Sequence, residues 1–178
     1  IVNNYGGIRL CYGNDHNIIS NNYIFNNHDV GVNIWQSNHY NIISNNTIKN
    51  QTKGINLNSD LYSDRTNINN TISYNAAGSS GGGISAGSYT GGVTLVNNTI
   101  TGNTAVRGGG VEASASYSYA NITITGNVII GNTADELGGG VYAPSGCGAV
   151  IIRNNTITDN TVFKNDDGIY IGRFSSHN

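Results

Sequence analysis

The chain has 178 residues, a formal net charge of −2, only 10% charged residues, one proline and no methionine. Its eight Lys and Arg are scattered without a run or stripe, which excludes the basic footprint of a nucleic-acid binder and gives no reason to expect an anionic membrane surface as partner. Apolar runs such as Ala149 to Ile152 are far too short for a helix that inserts in a membrane.

In chain order, the first predicted element is a Gly-initiated strand, Gly7-Ile8-Arg9-Leu10, in which alternate residues face one side. A second strand centres on Ile19, and a third is an Asn-x-Ile unit ending at Ile24. The unit then repeats, since CYGNDHNIISNNYI (11–24) and WQSNHYNIISNNTI (35–48) align without a gap. Gly-initiated strands recur at Gly31, Gly54, Gly83, Gly110, Gly140 and Gly168; the middle strand at Ile43, Leu95, Ile124 and Ile152; the Asn-x-Ile unit at Ile48, Ile72, Ile100, Ile129 and Ile157. Self-similarity at this period predicts a β-solenoid: all-β, about seven coils of three short parallel strands each. One domain spans 1–178, with short regular coils over 1–75 and longer Gly-rich coils over 76–178. Because the chain opens on Ile1 and residues 168–178 fall in phase with 7–17, the repeat is expected to be part of a longer solenoid, uncapped at both ends. End-to-end or lateral contacts with other copies would protect such edges, and an extended extracellular or cell-surface assembly follows.

Asn is the commonest residue, ahead of 25 Gly. Asn22, Asn46, Asn70, Asn98, Asn127 and Asn155 recur one coil apart, which predicts an inward amide ladder in which each side chain bonds its neighbours above and below. A second ladder is expected at Asn27, Asn75, Asn103, Asn132 and Asn160, disturbed near Asn50 by a 23-residue step. Cys11 and Cys147 follow Gly-initiated strands five layers apart, roughly 24 Å at about 4.8 Å per layer, too far for a mutual disulfide.

The coil pattern resembles the right-handed parallel β-helix repeats of pectin-lyase-like proteins, including surface and secreted repeat proteins of archaea and bacteria. NTAVRGGGV (103–111) and NTADELGGGV (132–141) resemble motifs of adhesin-like proteins, without their Phe-x-x-Asn element. The resemblance implies work on polysaccharides held along an outward strand face, by acidic residues that often bind Ca²⁺ together with Arg or Lys, or by a carboxylate pair. No stretch matches an active-site pattern of that family, so no catalytic residue is assigned.

Arg107, Asp135, Glu136, Lys164, Asp166 and Asp167 lie in three successive loops before Gly-initiated strands, next to outward Glu112, Tyr142 and Tyr170. They could form a sugar or Ca²⁺ site, but charged loops that keep apolar coils in solution account for them without any ligand. Trp35, the single Trp, fits a sugar-stacking platform or the cover of a core corner. His16, His28 and His39 lack the spacing of a metal motif. Six sequons begin at Asn45, Asn50, Asn69, Asn97, Asn121 and Asn154, and are either glycosylation sites or a by-product of Asn followed by β-branched residues at corners.

The expected function is a non-enzymatic extracellular or cell-surface solenoid, structural or adhesive, that contacts polysaccharide. The alternative is a polysaccharide lyase or glycoside hydrolase. A third reading, an ice-binding face, rests on outward Thr99/Thr101, Thr123/Thr125 and Thr156/Thr158.

Overall fold

The structure is a computed structural model that describes residues 1–35, 40–59, 65–117, 120–144, 146, 148–164 and 168–172. The first coil holds β1 (Ile8–Cys11), β2 (Ile18–Ser20) and β3 (Tyr23–Phe25). The second holds β4 (Val30–Trp35), β5 (Asn41–Ser44) and β6 (Thr47–Lys49); the third, β7 (Lys53–Ser59), β8 (Arg65–Ile68) and β9 (Thr71–Ser73). A fourth strand then joins each coil: β10 (Ile84–Ser88), β11 (Gly92–Val96), β12 (Thr99–Thr101) and β13 (Thr104–Arg107). The pattern continues through β14 (Val111–Ala115), β15 (Asn121–Thr125), β16 (Val128–Ile130) and β17 (Thr133–Leu137), then β18 (Val141–Ala143), β19 (Ala149–Arg153), β20 (Thr156–Thr158) and β21 (Thr161–Val162), to β22 (Ile169–Ile171).

Stacking these coils yields one seven-stranded sheet, β1-β4-β7-β10-β14-β18-β22, two six-stranded sheets and a three-stranded sheet, β13-β17-β21. All pairings within these sheets are parallel, and Ile8, Val32, Ile55, Ile84, Val111, Val141 and Ile169 fall in one register as the glycine series requires. Two expectations need correction. Seven strands stack only in the long sheet, so complete turns number fewer than seven. Three strands per coil holds only for the early coils, because the longer later segments, Thr104–Arg107 onward, pair into a sheet of their own.

The two sequence series interlock in the core. Ile24, Ile48, Ile72, Ile100 and Ile129 are fully buried, and the last four each sit against the glycine that opens the preceding long-sheet strand. A Cβ at Gly54 would lie 2.6 Å from Ile72 Cγ2; the same clash recurs for Gly31 with Ile48, Gly83 with Ile100, Gly110 with Ile129 and Gly140 with Ile157. Close approach, rather than a left-handed backbone, therefore requires these glycines.

The first ladder forms as expected. Asn46 Nδ2 donates to Asn70 Oδ1 at 3.0 Å and to the Ile19 carbonyl at 2.8 Å, while the Asn22 backbone N–H donates to Asn46 Oδ1 at 2.9 Å, and equivalent Asn-to-Asn bonds run to Asn155. The second ladder is not broken near Asn50. Gln51 takes the rung instead, its Oε1 accepting from the Asn27 N–H at 3.1 Å and its own N–H donating to Asn75 Oδ1 at 3.0 Å. A side chain one methylene longer still reaches both neighbours, so the 24-residue step from Asn27 through Gln51 to Asn75 is kept.

Candidate functional site

The outward face of the long sheet carries two columns of side chains. Arg9, Asn33, Asn56, Ser85, Glu112, Tyr142 and Tyr170 stack in one register; Cys11, Trp35, Asn58, Gly87 and Ser114 in the other. Over the middle of this face lies a cleft of about 450 Å³, floored by Ser85, Gly87, Glu112 and Ser114. Its depth depends on Gly87, where a Cβ would lie 2.5 Å from Asn58 Oδ1. Lys53, Ser79 and Ser80 line it from the side where the strands begin; Trp35, Tyr89 and Ser116 line it from the side where they end.

Within the cleft Ser85 is only 4% exposed and its Oγ is 2.8 Å from Glu112 Oε2, donating to that carboxylate. Burial holds the Lys53 amine below the usual lysine value, with the Glu112 charge pulling the other way. Trp35 is 39% exposed and the Arg9 guanidinium lies 5.6 Å from its ring centroid, so the indole stands on the surface rather than sealing a core corner. Tyr89 pairs with Tyr117 one coil on, centroids 5.6 Å apart, which extends an aromatic lip beyond the cleft.

The later loops before the long-sheet strands carry a separate charged network outside the cleft lining. Glu136 accepts from Arg107 at 2.8 Å and from Lys164 at 3.1 Å, so three coils are joined by one carboxylate. The Lys164 hydrogen bond, and then that of Arg107, hold the Glu136 carboxyl below the usual carboxylate range. The late cluster thus divides. Arg107, Glu136 and Lys164 form this exposed network beside Asp135, whose carbonyl accepts from the Lys164 N–H at 3.1 Å. Glu112 turns into the cleft, and Tyr142 stacks on Tyr170 at 5.5 Å along the strand face. Asp166 and Asp167 lie outside the described residues. Among the described residues no group of three or more His, Cys, Asp and Glu is placed to hold a metal ion.

A family model for the right-handed β-helix region matches residues 1–129 and 68–178, which together span the chain. The chain belongs to the right-handed β-helix family. No curated protein and no solved structure is matched by it.

Elsewhere on this β-helix, Cys11 is a free thiol that accepts from Arg9 Nε at 3.0 Å; Cys147 and His39 lie outside the described residues. His16 packs against Tyr40 in a tilted pair, ring centroids 5.1 Å apart. All six sequon asparagines are exposed, and five of them, Asn45, Asn50, Asn69, Asn97 and Asn154, have left-handed backbones at corners. The threonine columns are interrupted. Thr99 and Thr101 are flanked by Val128 and Ile130, and further along the same sheet Lys49 lies over the Tyr23 and Phe25 rings.

Sequence reasoning missed Lys53, Ser85 and Tyr89. A signal existed for the lysine. The residue before the repeat glycine is Gly6, Val30, Gly82, Gly109 or Gly139 in the other described coils, and Lys53 is the one cation there. Tyr89 and Tyr117 each follow a serine just past a long-sheet strand, a recurrence that marks the aromatic lip.

Proposed function

We propose that this β-helix is a non-enzymatic, structural or adhesive module of a secreted or cell-surface protein, and that it contacts polysaccharide along the outward face of its long sheet. The cleft between Trp35, Lys53, Tyr89 and Glu112 carries the reading. Aromatic faces that pack on sugar rings stand beside a floor of hydroxyls and amides that hydrogen-bond sugar hydroxyls. A stack of parallel coils presents that face as a continuous track of about 4.8 Å per step, along which an extended ligand can lie. Glycosidases of the retaining and inverting kinds use two carboxyl groups; among the described lining residues Glu112 is the one carboxylate.

One observation favours the lyase alternative. An amine held below its usual value, as Lys53 is, is unprotonated in a larger fraction near neutrality, and only the free amine can accept a proton from a substrate. Incubation with a panel of acidic and neutral polysaccharides separates the two readings. Retention on a polysaccharide that is recovered intact, lost in Trp35→Ala with Tyr89→Ala, is the expected result. New reducing or unsaturated ends overturn the non-enzymatic reading, and retention on none overturns the polysaccharide one.

A further inference from the structure

The charges of the cleft come from different coils. Lys53 enters from β7 and Glu112 from β14, with Ser85 of β10 between them. Among the described residues no carboxylate is within ion-pair distance of Lys53, although Glu112 acts on it electrostatically. The ammonium and the carboxylate therefore border one space without closing on each other. Asn56, directly next to Ser85 in the register, keeps a buried Oδ1 with no hydrogen-bond partner.

An anionic ligand group that reaches Lys53 also meets the Glu112 carboxylate, whose repulsion offsets the attraction. A hydroxyl has no such conflict, since it accepts from the ammonium and donates to a carboxylate or amide oxygen. We propose that the cleft selects neutral, hydroxyl-rich glycans over polyuronates, with Lys53 donating to sugar oxygens, Glu112 accepting from sugar hydroxyls, and Trp35 and Tyr89 packing on ring faces. The selection rests on the polysaccharide reading above.

The test is calorimetric titration of this chain with maltohexaose, cellohexaose, mannohexaose and hexagalacturonate at physiological salt. At least one neutral hexasaccharide binds about tenfold or more tightly than hexagalacturonate. Glu112→Gln keeps the shape, leaves the ammonium uncompensated and moves that ratio about tenfold toward hexagalacturonate; Lys53→Gln moves it the other way. Each variant is first checked for an unchanged β-type circular dichroism spectrum, and either one alone reports the direction. A wild-type preference for hexagalacturonate, or a ratio that neither substitution moves, overturns the selection while leaving polysaccharide contact standing. Binding of none of the four removes the polysaccharide reading itself.

Discussion

Each inward asparagine holds the coil on one side and is held by the coil on the other. Asn98, 1% exposed, accepts at Oδ1 from the Asn70 N–H at 2.9 Å and from Asn70 Nδ2 at 3.1 Å, and its own Nδ2 donates to Asn127 Oδ1 at 3.0 Å. Asn98→Ala strands the buried Asn70 N–H, and an orphaned buried donor costs about 1–3 kcal/mol. With the lost amide contacts the expected destabilisation is about 3 kcal/mol, read from urea unfolding; a loss well under about 1 kcal/mol would show that the ladder is decorative. Asn98→Asp is expected to fall between, because its carboxylate still accepts from Asn70 but opposes Asn127 Oδ1. The outer asparagines do different work. Asn45, Asn69, Asn97 and Asn154 occupy one left-handed corner column that Gly126 completes, so backbone geometry alone accounts for asparagine there.

Along an element, the same rung is filled well by asparagine and less well by glutamine. Asn27 Nδ2 is buried without a partner, and the side chain opposite it is Gln51, whose Nε2 turns to the Lys49 carbonyl at 2.6 Å. Gln51→Asn restores the paired Nδ2-to-Oδ1 contact seen on other rungs and is expected to stabilise the chain by about 1 kcal/mol in the same urea assay; an equal or lower midpoint would mean that the longer side chain is the better fit. This rung also shows where legibility ended. Strand registers, the isoleucine core and the Asn ladder were readable because each recurs once in every coil. A ladder defined by residue name skipped Gln51, which fills the position by function. The cleft was hidden for a related reason, since Lys53, Ser85 and Glu112 each occur once and meet only because stacking brings three coils together. Periodicity reports what all coils share, whereas a site is what one coil does differently.

In the whole molecule these local terms are linked coil to coil, so a single half-buried charge acts on the stability of a stack whose coils rest on one another. Lys53 supplies such a charge. Its amine is held below the usual lysine value of 10.5, with burial as the main cause. Between that lowered value and 10.5 the unfolded chain binds more protons than the folded one, so stability rises as pH climbs through this window. Glu136 has the opposite placement: its carboxyl is held below 4.5 by Lys164 and Arg107, so its contribution is present above that value and is lost as pH falls through the folded one. The network is exposed, and its acid-side effect is correspondingly small. The informative quantity is the difference between wild type and Lys53→Met. Thermal unfolding from about pH 7 to pH 10 should show the variant more stable at the lower end, with its advantage shrinking as the wild-type lysine loses its proton. A difference that stays constant across that range would mean that the Lys53 ammonium is as well solvated in the folded cleft as in the unfolded chain.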